Sequence, residues 1–183
     1  MTRWIAIVVV SVYALICAAC GGTTTAPSSS GRSVTVAFSS LAGSGTPVAT
    51  YSESAFSIST SAANWVVLTT YGNPAPFIQF SAPMGTVVIG QIQVTADRHV
   101  PFAFKSVDLY SSVTRIPYTI TGGLGSSVVF TLSDTIPNTF GNFRTVVNSH
   151  GADPIDTLTI SLSNSPGLAG SNPMGLDNIV LSQ

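Results

Sequence analysis

Six consecutive residues, Thr157-Leu158-Thr159-Ile160-Ser161-Leu162, alternate polar and apolar without a break. A period of two places alternate side chains on opposite sides of an extended chain, so this segment predicts a β-strand with one face buried and one wet. The same period recurs along the sequence. Val34, Val36 and Phe38 alternate with Ser33, Thr35 and Ala37; Phe56 and Ile58 with Ser57 and Ser59; Ile92 and Val94 with Gln91, Gln93 and Thr95. It returns in Ile116, Tyr118 and Ile120 and in Val128, Phe130 and Leu132. Turn formers separate these runs: Gly43-Ser44-Gly45, Gly72-Asn73-Pro74, Ala82-Pro83-Met84-Gly85, Thr121-Gly122-Gly123, Pro137-Asn138, Ser165-Pro166-Gly167 and Asn172-Pro173. No segment sustains a helical period. Many short strands without alternating helices predict an all-β chain, an antiparallel β-sandwich with Greek-key or jelly-roll connections.

Three places disturb the alternation. Pro117 interrupts a strand-like run, which predicts an edge strand or an outward position without a ladder hydrogen bond. Between Phe102 and Leu109 the apolar parity moves from Phe102 and Phe104 to Val107 and Leu109, and a β-bulge near Lys105 or Ser106 would return both sets to the core. In Met174 to Leu181 either parity brings a polar residue inward, Asp177 with Ile179 and Leu181 or Asn178 with Leu176 and Val180. A buried carboxylate or amide is costly unless it is hydrogen bonded, paired or bound to metal. Glu53, read in one strand with Phe56 and Ile58, falls on the Ser57 and Ser59 face.

Charged residues make up only 7% of the 183 residues, against roughly 25% in a typical soluble domain, so Ser, Thr, Asn and Gln must supply most of the wetted surface. With six Lys and Arg and a formal net charge of -1, the sequence lacks the basic footprint that phosphate neutralisation needs, which excludes nucleic acid as an expected partner.

The first residues read as an export signal. Arg3 supplies a positive charge, and Trp4 to Ile16 forms an apolar run of signal length that is short for a membrane span. Ala18-Ala19-Cys20 after that run resembles the lipobox of bacterial lipoproteins, with Cys17 standing where an aliphatic residue is usual. The resemblance implies a signal peptide over residues 1–19 and a diacylated Cys20 as the mature N-terminus. It also implies an exported protein held to the outer membrane or cell surface by its lipid. Ordinary cleavage after Ala19, releasing a free secreted protein, is the alternative; a Cys17 to Cys20 disulfide is a third reading, against which Cys17 leaves with the signal. Residues 20–32, with Gly21-Gly-Thr-Thr-Thr-Ala-Pro-Ser-Ser-Ser-Gly-Arg32 after the cysteine, have too little apolar surface to order and read as a flexible tether. Residues 33–183 remain as the β-sandwich domain, large enough to bury roughly 70% of its unfolded surface.

Leu176-Asp-Asn-Ile179 near the end, Tyr51-Ser-Glu-Ser-Ala-Phe56 near the start and Phe104-Lys-Ser-Val-Asp-Leu109 between them resemble jelly-roll domains of exported bacterial proteins. Those domains are similar to galactose-binding-like carbohydrate-binding modules and, more remotely, to MAM domains. The resemblance implies a calcium ion between the opening and closing segments, for which Glu53 and Asp177 stand at the matching positions. Calcium takes six to eight oxygens, so carbonyls, water or a third acid such as Asp153 or Asp156 would have to help. Without an ion, Asp177 is expected to accept backbone amides and Glu53 to be solvated.

Catalytic patterns are sparse. His99 and His150 lie in turn-like segments, and neither a serine elbow nor HExxH occurs. Glycoside hydrolysis needs two facing carboxylates, for which Glu53 and Asp177 are the available pair; the expectation is that the protein is not an enzyme. Binding is carried by aromatics. Trp65, Tyr71 and Phe77 cluster around Asn64 and the Tyr71-Gly-Asn-Pro-Ala-Pro76 turn, where flat rings suit a sugar face and Asn64 or Asn73 can bond its hydroxyls. Trp65 itself is expected in the core. The sequence therefore reads as a non-catalytic envelope module with Tyr71, Asn64, Asn73 and Phe77 as a glycan site, or else as a structural or protein-interaction subunit.

Overall fold

The alternating segments pair into two antiparallel sheets. A computed structural model describes residues 31–69, 75–83, 85–140, 142–164 and 171–183; Cys20, Tyr71 and Asn73 lie outside them. The strands are β1 (Ser33–Val36), β2 (Thr50–Glu53), β3 (Phe56–Ser61), β4 (Val66–Leu68), β5 (Phe77–Ala82), β6 (Ile89–Ala96), β7 (Ala103–Ser111), β8 (Ile116–Leu124), β9 (Ser127–Ile136), β10 (Arg144–Val147), β11 (Thr157–Ser163) and β12 (Asn172–Ser182). One sheet has the order β10-β7-β12-β5-β4, with β1 also paired to β12; the other runs β2-β3-β6-β11-β8-β9. From β5 to β8 successive strands alternate between the sheets, the crossing pattern of a jelly roll. The expected all-β sandwich is what forms.

Period two decides the layers. Leu158, Ile160 and Leu162 are fully buried between the sheets, with Ile92, Val94, Ile58 and Ile120 on neighbouring strands. Outside the same sheet, Thr159 stands opposite both Gln93 and Thr121, and Gln93 opposite Ser59. Hydroxyls and amides cover this face where charges would in most soluble proteins, which accounts for the 7% charge content. Trp65 is buried as expected, its ring 4.7 Å from that of Phe80. Phe80 in turn lies over Gly90, where a Cβ would come within 2.1 Å of the Phe80 ring. A side chain at position 90 would therefore have to displace the Phe80 and Trp65 pair.

The bulge expected in β7 is present: Val180 pairs with Ser106 while Leu181 pairs with Phe104, so Lys105 is the extra residue that brings both Phe104 and Val107 inward. Strict parity in β12 is corrected by a second bulge. Asp177 pairs with Asp108 but Val180 with Ser106, and Asn178 adopts φ 48° in the left-handed region. Asp177, Ile179 and Leu181 are buried together, as one of the two expected parities has it, and the bulge adds Leu176 to the buried set. Glu53 is also corrected. Ser54 and Ala55, at φ 53° and 68°, form a two-residue hairpin turn of the primed type, so Glu53 pairs with Phe56 and shares its core-facing side rather than that of Ser57. Such turns favour Asn-Gly, and Ser-Ala does not announce one. Pro117 is not on an edge strand, since β8 lies between β11 and β9; it stands one residue before the pairing of Tyr118 with Leu162 begins.

Candidate functional site

The closing strand β12 pairs with β7 along one edge and shares its other edge between β5, from Leu176 back, and β1, from Ile179 on. Asp177 falls at the junction. Its carboxylate is fully buried, and neither oxygen has a hydrogen-bond partner. Burial pushes its pKa up to about 7; the adjacent Asn178 N–H opposes the shift, and the negative Asp108 and Glu53 add to it. Asp177 thus makes no well-formed hydrogen bond: the Asn178 N–H acts on the buried carboxylate but does not satisfy it.

Glu53 takes the amides instead. Its Oε2 accepts from Ala37 N at 3.0 Å, Phe38 N at 2.9 Å and the Tyr51 hydroxyl at 3.1 Å, and its Oε1 from Ser39 Oγ at 2.9 Å. These bonds hold the segment after β1 where it leaves the sheet. Asp108 is likewise engaged, by Thr145 Oγ1 at 2.5 Å and Asn178 Nδ2 at 2.9 Å. Tested against a calcium ion, Asp177 fits, as an orphaned buried acid that a cation would neutralise. Glu53 offers only the lone pairs its four donors leave. Asp153, beside His150, and Asp156, bonded by Gly125 N, are committed elsewhere. Among the described residues no group of three or more His, Cys, Asp or Glu side chains converges on a metal position.

The expected binding segment is only partly assembled. Asn64 is exposed, but Phe77 is buried and cannot offer a ring face to a ligand. Phe77 instead lies outside the first sheet, edge-on to Phe143 at 5.1 Å and tilted against Tyr110 at 5.7 Å. It supports the 137–143 loop from beneath.

That loop borders a groove which the sequence reading missed. Arg144 pairs with Leu109 and Val146 with Val107, so Arg144 projects on the core-facing side of the first sheet. Tyr118 pairs with Asp134 on the core-facing side of the second, in line with Ile116 and Ile120. At these edge strands the sandwich opens. Arg115, Tyr118, Asp134 and Arg144 line a cleft of about 520 Å³, within the range of small-ligand sites. A second hollow of about 440 Å³ shares Pro137, Arg144 and Thr145 with it and extends to Asn138, Asn142 and Phe143. Burial raises the Tyr118 phenol above its ordinary pKa, and the Asp134 charge adds to this.

The groove is firmly held. Thr139 N donates to Ser111 O at 2.8 Å, and Asn142 N to Thr139 O at 3.0 Å. Beneath them, buried Asn172 accepts from Val113 N at 2.9 Å and donates to Ser111 Oγ at 3.1 Å, ordering the bend that carries Arg115. Phe140 is 76% exposed and sits at φ 49°, a conformation rare for a bulky residue. Its neighbour Thr139 lines the second hollow, so the exposed ring stands close to that hollow's border. A sequence signal did exist: in Phe130, Leu132, Asp134, Ile136 one acid replaces an apolar residue at an inward position, as Arg144 does before Val146.

No family model and no curated protein matches the sequence. Among solved structures the protein is similar to the enzymatically active domain of tailspike protein 4 of bacteriophage CBA120, at 13% identity, TM-score 0.44, over 69% of this chain; the chain spans only 19% of the tailspike's length. It is also similar to a family 29 carbohydrate-binding module from Piromyces equi, at 11% identity and TM-score 0.47, covering 84% of this chain and 92% of that one. A family 11 carbohydrate-binding module from Clostridium thermocellum gives 14% identity and TM-score 0.42 over 84% and 96%. With every one of these scores below 0.5, the assignment of a sandwich rests on the strand pairing itself.

Proposed function

We propose that the protein is a lipid-anchored module of the cell envelope that binds a glycan in the groove beside the 137–143 loop and does no chemistry on it. The observation that carries this reading is the cleft lined by Tyr118, Asp134 and Arg144, which shares Pro137, Arg144 and Thr145 with a hollow reaching Asn138, Asn142 and Phe143, with exposed Phe140 next to Thr139 of that hollow. A ring face meets the C–H side of a pyranose, while amides, phenol and carboxylate bond its hydroxyls. Calcium is the proposed ion, held by Asp177 with Glu53; it would neutralise the buried carboxylate and tie β12 to the β1 and β2 segments. Asp134 and Arg144, of opposite charge, line one cleft, and such a lining suits hydroxyl recognition better than hydrolysis by two facing carboxylates. The ten-residue β9, at the end of its sheet, favours the second reading, a protein-interaction subunit.

Phe140→Ala should weaken glycan binding by roughly 1 kcal/mol or more, about fivefold in affinity, and leave the melting temperature unchanged because the ring is outside the core. Titration against a panel of envelope and plant oligosaccharides measures this. If no glycan binds the unaltered protein, the reading fails and the interaction reading replaces it.

Cys20→Ala should release the protein from the membrane fraction or leave its precursor uncleaved. Gly21 is not the Asp-type residue that retains lipoproteins in the inner membrane, so in a two-membrane cell the wild type is expected in the outer one. Fractionation with a lipid label decides: a variant that is still cleaved and still held in the membrane fraction would overturn the anchor.

A further inference from the structure

We infer that the cleft between β9 and β10 takes a carboxylated sugar, a hexuronic acid unit, with Arg144 and Arg115 as its carboxylate-binding pair; the inference rests on the glycan reading and names its chemical class. Two of the six basic side chains in the chain line this one cleft. The net charge is -1, so any attraction for an anionic glycan is local to this site rather than a property of the whole surface.

Arg144 occupies an inward position where the alternation of β10 calls for an apolar side chain. Among the described residues no ion pair engages the Arg144 guanidinium. Asp134, across the cleft, accepts from Thr135 N at 2.7 Å. Arg115 is carried into the same cleft by the bend that Asn172 and Ser111 hold, so the two guanidinium groups are positioned by separate rigid elements, a strand and a buttressed turn. A guanidinium presents a planar fork that matches a carboxylate with two parallel hydrogen bonds. The formal charges of the lining side chains, Arg115, Arg144 and Asp134, sum to one positive charge, the sign that suits a single carboxylate. A doubly charged phosphate monoester would bring excess negative charge beside Asp134. The remaining acceptors of Asp134 and the Tyr118 phenol suit the hydroxyls of the same sugar.

The test titrates the full chain, in detergent micelles, with oligomers of galacturonic, glucuronic and mannuronic acid and with the carboxyl-reduced form of each. At least one acid should bind ten times more tightly than its reduced form at low salt, and the difference should shrink as salt is raised. Arg144→Gln should abolish that preference, bringing the acid to the affinity of the reduced sugar with the melting temperature retained. Arg98→Gln, which removes the same charge from an exposed turn outside the cleft, should leave it intact. Equal affinity for acid and reduced forms would overturn the inference while the glycan reading stands, as would an acid preference that survives Arg144→Gln. A sulfated neutral oligosaccharide binding as tightly as the acids would overturn the carboxylate assignment. Binding of no sugar at all, charged or neutral, would sink both.

Discussion

Trp65→Ala should cost about 3–5 kcal/mol of folding stability, the scale of removing a large aromatic from a packed core. Trp65 is 1% exposed, and its ring packs on Phe80, which Gly90 admits to the core by having no Cβ. The loss should appear as a fall in melting temperature of about 10 °C or more in a domain of this size. Trp65→Phe should cost far less. The indole Nε1 is buried with no acceptor, so the phenyl ring gives up volume but also removes an unsatisfied donor. Thermal unfolding of both variants by circular dichroism provides the check. An alanine variant as stable as the wild type would mean that Trp65 is not in the core.

The second large effect is a dependence of stability on pH that belongs to Asp177. Its folded-state pKa stands at about 7, above the roughly 3.9 of an unfolded aspartate, so the folded state holds the proton more tightly. That contribution is fully present below about pH 4 and is lost as the pH rises through 7, because the ionised carboxylate is then buried without a partner. Three pH units correspond to at most about 4 kcal/mol. In chelator, the difference in stability between wild type and Asp177→Asn should therefore shift in favour of the variant from pH 4 to pH 8, since the amide carries no charge at either end. Denaturant unfolding at each pH measures it; a difference that stays constant would contradict the burial of an unpaired carboxylate. Excess calcium at pH 8 should restore the wild type and leave Asp177→Asn unmoved, because an ion bound only to the folded state stabilises it. Identical wild-type curves in chelator and in calcium at that pH would remove calcium from the proposal.

By itself the sequence determined the strands and, for most of them, which side faces in. The alternation of Leu158, Ile160 and Leu162 with hydroxyl residues is local, and burying one face is the strongest demand on such a segment. The parity change in Phe102 to Leu109 was legible for the same reason: it called for a bulge near Lys105 or Ser106, and the pairing places it at Lys105. The Ser54-Ala55 turn was not legible because it rests on left-handed backbone at residues that do not favour it; Asn178 does tolerate that conformation, but the register shift it makes shows only in the pairing of β12 with β7. Glu53 depends on that turn: only after the chain reverses does its carboxylate reach the amides of Ala37 and Phe38, and only then is Asp177 left alone. The groove depended most on tertiary structure. Tyr118 and Asp134 come from one sheet and Arg144 from the other, on strands whose place in the sequence says nothing about which edges will face each other. Each was visible as a polar residue at an inward position, but what it faces was set by the crossing of the chain between the two sheets.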